Sequence, residues 1–462
     1  MEQITSKIES LSDNMKRQLL NKLKTRYAEF YEISPLETIV LAEGIDLSYG
    51  QKRILEMTLK HPEAPVHVVS QMLHIKGELS IELLQEAIKI AVKSHEAFKI
   101  LFFLNSDGEW KQRIENKEKY LIQKTVLKDE YEILNHVNKY IGSKKWVDED
   151  SSNIDFLIFE RELNNFSIAV ITHNLFFDAW SYNLLIDDIL DIYHRLKSGE
   201  SVVLTSKEYD FLSFVNWQNN WINTKESKNQ LSYWKDKFQG IIKSEFPAIK
   251  NDGLNKSYYG NRVLFDLNQN IKLKIENISK QWSVTTFMVL TSLIQAYIHK
   301  LTSNETVLIG TINSNRTRKK SEEIVGYLLN YVPLAAYFKK QYTFQEIVKE
   351  NKNNILEAFE NMDIPFEFLM ENLECKPKNN LLFDVLFIYE NIPANRKLYN
   401  DFSIENDEIN RSIARFNMTL SIFNDKDYYQ CFLEYNNELF SDTYIDEFIN
   451  NFKSFAEEIL IN

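Results

Sequence analysis

Within "ITHNLFFDAWS" (residues 171–181) an imidazole, a carboxamide and a carboxylic acid fall within six positions: His173, Asn174 and Asp178. An imidazole titrates near ~6.5 and exchanges a proton at neutral pH. A carboxamide donates and accepts hydrogen bonds but takes no proton. A carboxylate placed where a helix begins accepts from the free N–H groups of the first turn. These three are the candidate residues of a reaction centre: His173 as a base or a buried core histidine, Asn174 as an orienting group, Asp178 as a structural acid.

The flanking sequence says where each stands. "DFLIFERELNNFSIAVITH" (155–173) alternates and runs apolar like two strands joined by a turn at 163–165. "AWSYNLLIDDILDIYHRLKSG" (179–199) carries apolar residues at helical spacing, with Gly199 as a stop. His173 therefore ends a strand and Asp178 starts a helix. Neighbouring side chains on a strand point to opposite faces, so if Asn174 faces a site, His173 faces the core.

Before this unit, "VHVVSQMLHI" (67–75) reads as a strand and "SIELLQEAIKIAVKSH" (80–95) as a helix capped by Ser80. "FKILFFLN" (98–105) and "GEWKQRI" (108–114) read as a hairpin. "SYWKDKFQG" (232–240) reads as a connector. The pattern then recurs, with helices over 284–302, 344–361 and 441–460 and strands over 305–315, 382–391 and 428–437. Residues 1–43 read as a helical lead-in. The chain divides at about 225 into two mixed α/β units, 44–225 and 226–462.

The 462 residues are 44% hydrophobic, enough for a full core, and carry a net charge of −12. That charge argues against nucleic-acid binding, which needs a basic surface. No apolar run reaches the ~18–20 residues of a membrane span, and the N-terminus lacks a signal-like apolar segment. The expectation is a cytoplasmic protein. Cys375 and Cys431 lie apart from any CxxC or Cys/His cluster, so neither a metal nor a disulfide framework is expected. Only 11 glycines occur, without a GxGxxG or Walker pattern, so no bound nucleotide is expected.

Seven segments in order resemble the condensation domains of non-ribosomal peptide synthetases, within the superfamily of chloramphenicol acetyltransferase. They are "SYGQKRIL" (48–55), "SHEAFKILF" (94–102), "HNLFFDAWS" (173–181), "YDFLSFVNWQ" (209–218), the run 309–338 ending "NYVPLAAYF", "MDIPFEFL" (362–369) and "NNLLFDVLFIYEN" (379–391). The third is similar to the family's HHxxxDGxS. The resemblance implies two acetyltransferase-like lobes in a V, with a tunnel between them. It also implies donor and acceptor carrier proteins at opposite mouths, each presenting a thioester on a phosphopantetheine arm, and no directly bound cofactor. Other synthetase domains are further expected partners.

By the same resemblance Asn174 stands where the family has its second, catalytic histidine, Ala179 where it has glycine, and Lys99 where it has the arginine that pairs with the motif's acid. An ion pair between Lys99 and Asp178 is expected. Asn330, Ala179 and Ser181 are the expected substrate contacts, and Trp180 and Trp217 are expected core residues. "NRTRKK" (315–320) is a basic cluster suited to docking an acidic carrier. Loss of the base removes a term worth about 10²–10⁴, whereas positioning alone is worth more. Three readings stand: an amide-forming acyltransferase without a protein base, a degenerate domain that binds carriers or a tailoring enzyme, and a structural spacer in a synthetase; the sequence favours the first two.

Overall fold

The computed structural model describes residues 44–62, 64–202, 209–239, 258–318, 320–339, 342–373, 382–390, 397–398, 402–409 and 412–460. The lead-in at 1–43, Cys375, Lys319 and the first residues of the 379–391 segment lie outside the described residues.

The N-terminal half runs β1 (Ile45–Asp46), α1 (Tyr49–Lys60), β2 (Val68–Gly77), α2 (Ile81–Ser94), β3 (Ile100–Leu104), β4 (Trp110–Ile114), β5 (Tyr120–Val126), α3 (Glu130–Ser143), β6 (Ile154–Glu162), β7 (Asn165–His173) and α4 (Ala179–Lys197). Then come α5 (Phe211–Trp221), α6 (Lys225–Phe238), β8 (Gly260–Leu267), α7 (Gln269–Gln281), α8 (Thr286–Thr302), β9 (Thr306–Asn313), β10 (Asn330–Tyr337), α9 (Phe344–Glu360) and α10 (Phe366–Asn372). The chain closes with β11 (Val385–Glu390), β12 (Lys397–Leu398), β13 (Phe402–Glu408), β14 (Met418–Asn424), β15 (Tyr429–Asn436) and α11 (Asp442–Ile459).

Two six-stranded mixed sheets, ordered β12-β13-β2-β7-β6-β5 and β10-β9-β11-β14-β15-β8, each carry helices. The expected helix caps form: Ser80 accepts from the Leu83 N–H, Asp178 from Ser181 and Ser441 from Tyr444. The turn between β6 and β7 places Asn164 at φ 59°, a left-handed conformation that asparagine tolerates.

The chain passes from one core to the other within α5. Phe211, Leu212, Phe214 and Val215 join the first core, and Trp221 joins the second. The segment expected as a connector is helix α6, whose Trp234 and Phe238 are buried in the second core.

Two segments return, so the units 44–225 and 226–462 are not wholly separate. Ile324, Val325, Tyr327 and Leu328 pack into the first core. Strand β13 pairs antiparallel with β2 from Phe402↔Gly77 to Glu408↔Gln71 and extends the first sheet. This covers an edge of β2 that would otherwise present unpaired backbone groups. The crossover also fixes the two lobes against each other.

Candidate functional site: the wall and floor of the interlobe cavity

Strand β7 sets the directions of its side chains by alternation. Ala169 and Ile171 face the cluster under α3, and Ile168 and Val170 face the main core of the first lobe. His173 continues the α3-side row, and its ring lies 5.3 Å from that of Trp146. Thr58 Oγ1 donates to Ile54 O at 2.7 Å, so it receives the Nε2–H of His173 at 3.3 Å. His173 Nδ1 accepts from the Leu175 N–H at 3.3 Å. Both ring nitrogens are engaged in holding the strand end, and the side chain is buried.

Past the strand, the backbone N–H of Asn174 donates to His67 O (2.8 Å). Its Nδ2 donates to Phe177 O (3.0 Å) and closes the loop on itself. Its Oδ1 is buried without a partner. Leu175, Phe176 and Phe177 anchor the loop in the core, with Phe176 against Phe102 and Phe177 against Phe98. Helix α1 grips the same loop: Ser48 and Gln51 form a capping box, and Gln51 Nε2 reaches Leu175 O at 3.0 Å. The Ser and Gln of "SYGQKR" are thereby explained.

Asp178 is fully buried and its carboxylate is saturated. It takes a bidentate fork from Arg316 (2.8 and 3.0 Å), the N–H of Ser181 (2.9 Å) and the N–H of Leu328 (3.1 Å). The expected partner Lys99 is replaced by Arg316. Lys99 sits in the short 3₁₀ turn Glu96–Lys99, where its charge acts on Glu96. The fork comes from the loop after β9, 138 positions away, and ties the second lobe to the first. Ser181 Oγ lies between Asp178 Oδ1 (2.8 Å) and both the O and N–H of Gly326 (2.9 Å each). It is a buried bridge, not the expected substrate contact. Gly326 is required there, since a Cβ would stand 2.2 Å from the Phe211 ring.

Two further expectations change in the same way. Asn330 spends its whole amide on backbone. Its Nδ2 donates to Met362 O (2.9 Å) and Ile364 O (2.7 Å), and its Oδ1 accepts from the Phe366 N–H (2.8 Å). It clamps the "MDIPFEFL" turn instead of meeting substrate. The arginines of "NRTRKK" are buried rather than offered for docking: Arg318 pairs with Asp363 at 2.6 Å and lies 3.8 Å from the Trp217 ring centre. A basic run looks like a solvated loop until the distant carboxylates are placed beside it.

Asn174 and Ala179 remain at the wall of a cavity of about 790 Å³ between the lobes. Val66, Val69 and Tyr182 line it from the first lobe, and Leu329, Tyr331 and Phe416 from the second. No histidine occurs among its described lining residues. Tyr182 donates to Asn406 Oδ1 at 3.0 Å, and burial holds its phenol protonated, well above the ordinary 10. A second cavity of about 420 Å³ lies under α1 and α10, lined by Tyr49, Arg53, Glu367 and Asn436 among others. A third, small cavity of about 10 Å³ shares lining residues with both. Arg415 and Phe416 border all three spaces. Arg415 Nε donates to Val66 O at 2.9 Å and so spans the lobes, while Phe416 packs edge-on against Tyr331 at 5.3 Å. Among the described residues no group of three or more His, Cys, Asp or Glu is placed to hold a metal, and no helix is long and apolar enough to cross a membrane.

With this geometry in place, the sequence profile described as Condensation domain matches residues 42–462. The chain belongs to the condensation domain family. It is similar to a linear gramicidin synthase of Brevibacillus parabrevis, 23% identical over 93% of this chain and 9% of that protein. Gramicidin S synthase 2 of Brevibacillus brevis is 25% identical over 90% of the chain and 9% of its own length. The chain thus spans about a tenth of these curated relatives. Among solved structures, the X-domain from teicoplanin biosynthesis, in complex with OxyB, has a TM-score of 0.82 at 14% identity and covers 94% of this chain and 97% of its own. The starter condensation domain of rhizomide synthetase has a TM-score of 0.77 at 13% identity, covering 92% and 96%. The fold is that of two chloramphenicol acetyltransferase-like lobes, and the chain is a condensation-type domain of the non-ribosomal peptide synthetase class.

Proposed function

We propose that this condensation domain joins a carrier-bound acyl or peptidyl thioester to an acceptor amine in the cytoplasm. In this reading the 790 Å³ chamber beside Asn174 receives a thioester on the phosphopantetheine arm of a donor carrier protein, and the acceptor carrier approaches from the chamber under α1. The observation that carries the reading is the chamber itself: it is built by both lobes, passes the family's catalytic position and bears Asn174 and Ala179 on its wall. The amine attacks the thioester carbonyl with its own lone pair. The C–N bond forms, the C–S bond breaks, and the amine's proton passes to solvent or to the departing thiolate. No histidine is among the described residues that line this chamber, so in this reading the protein's contribution is positioning and exclusion of water.

One observation favours a second reading. The Arg415–Val66 bridge and the Phe416–Tyr331 contact stand where the linings of the two chambers meet, as suits a domain that holds a carrier or a tailoring enzyme without forming a bond. The X-domain of similar fold was solved with OxyB bound.

Incubation with loaded donor and acceptor carriers, read by intact-protein mass spectrometry, decides between them. Transfer of the donor mass to the acceptor carrier is the expected result. Carrier binding without transfer, across several acyl groups and with Arg415→Ala included, moves the assignment to the binding domain.

A further inference from the structure

Three arginines at the interior between the lobes are matched in ion pairs. Arg316 pairs with Asp178, Arg318 with Asp363 and Arg53 with Glu367. Arg415 differs. No carboxylate lies within ion-pair distance of its guanidinium among the described residues. Its Nε donates to Val66 O, and its backbone N–H meets Glu434 Oε1 at 3.4 Å. Glu434 itself faces Arg262 across the β15–β8 ladder. Arg415 is half-buried, and the spaces it borders are lined by Val66, Ile413, Tyr331 and Phe416 together with Glu367 and Glu434, neither of them within ion-pair distance, which leaves four N–H donors of the fork facing those spaces.

A half-buried guanidinium with no carboxylate in ion-pair distance keeps donors open, and a carboxylate satisfies them best, two oxygens against two N–H groups. The position is defined too. Val66, whose carbonyl holds Arg415, precedes His67, whose carbonyl holds the Asn174 backbone. The fork is anchored on the residue next to the one that holds the Asn174 backbone, on the lining of the same chamber.

We propose that Arg415 selects a carboxylate-bearing acyl group: a dicarboxylic or acidic aminoacyl thioester whose free carboxylate lies a few bonds from the thioester carbonyl. This rests on the reading of the chamber as the thioester site. Pantetheine itself enters the same space whichever acyl group it bears, so Arg415 sets selectivity among acyl groups.

The test is calorimetric binding of the full chain to hydrolysis-resistant succinyl- and butyryl-pantetheine analogues and to succinate alone. The succinyl analogue should bind roughly 10- to 100-fold more tightly than the butyryl one, as for a hydrogen-bonded charge pair. Arg415→Gln should bring the ratio to about one, and Arg415→Lys should keep part of it. If Arg415→Gln does not fold, the wild-type ratio must still fall as salt rises. Equal wild-type affinities overturn the proposal and leave the thioester reading standing. An unchanged ratio in folded Arg415→Gln also overturns it. Binding of succinate that Arg415→Gln abolishes, with no binding of either analogue, keeps the anion site and overturns the thioester reading. No binding of any of the three overturns both.

Discussion

The loop between β7 and α4 begins at Asn174 and ends at Asp178, four positions apart, and its two ends are built on opposite terms. At the Asp178 end a carboxylate is fully buried and surrounded by an arginine fork and the N–H groups of Ser181 and Leu328. The second lobe supplies most of those partners. At the Asn174 end one amide hydrogen bond closes on the loop's own Phe177 carbonyl, an oxygen is left without a partner, and the residue borders a cavity. The first end is a lock between lobes. The second is left under-determined where a reacting group would pass. Rigidity a few residues from an open wall is what a positioning site requires.

The contrast predicts unequal costs. Asp178→Ala should be the most damaging change in the segment, at about 3–5 kcal/mol in chemical denaturation, because it strands a buried Arg316. An unchanged melting temperature would mean that the lock carries no stability and that the comparison is wrong. Arg316→Lys keeps the charge but not the fork. It should cost about 1.5–3 kcal/mol, the worth of hydrogen bonds to a charged group. A Lys variant as stable as the wild type would show that charge alone suffices.

Much of this was legible in the sequence, and the limits have a physical pattern. The strand-to-helix unit around His173, the caps at Ser80, Asp178 and Ser441, and the core-side direction of His173 all follow from spacing within a few residues. What escaped depends on residues far apart in the chain. Lys99 occupied the position of the expected partner, yet a loop from the other lobe reaches Asp178 first. Asn330 carried a substrate-contact expectation, but its three bonds go to a turn 32 to 36 positions on. Arg318 looked exposed until Asp363 and Trp217 were beside it. The crossover strand β13 gave no local sign that its partner would be β2. Arg415 was missed altogether; its only signal was an arginine next to an aromatic residue.

A second carboxylate sharpens the lesson of Asp178 through its pH dependence. Glu96 lies in the first lobe with Asp210, another acid, as its neighbour. Burial, then a hydrogen bond and the charge of Asp210, push it up from 4.5 to about 8, while Lys99 pulls the other way. Between those values the folded protein keeps a proton that the unfolded chain has lost. Its stabilising contribution is therefore complete below about 4.5 and is lost as pH rises to about 8. Glu96→Gln should flatten that decline and raise the melting temperature at pH 8–9 by roughly 2–4 °C, while matching the wild type near pH 4.5. Parallel melting curves for the two proteins from pH 5 to 9 would show that Glu96 ionises normally and is not opposed by Asp210.

The smallest effect on stability is expected at the open end. Asn174→Ala removes one hydrogen bond, worth about 0.5–1.5 kcal/mol, but it also removes a buried oxygen that has no partner, whose desolvation is of similar size. The two offset, and denaturation should move by less than about 1 kcal/mol. Activity separates the roles. If positioning is all the amide supplies, Asn174→Ala should slow carrier-to-carrier transfer about tenfold, and the wild-type rate should rise with pH as the acceptor amine itself loses its proton. Asn174→His adds an imidazole at the same wall, so the ratio of its rate to the wild-type rate should change across a pH near ~6.5, which the wild type alone does not show. A loss beyond about a thousandfold in folded Asn174→Ala would make the amide a direct participant, since no single orienting bond accounts for that much. It would also remove the asymmetry between the loop's two ends, because the weakly held residue would then be the one on which the reaction depends.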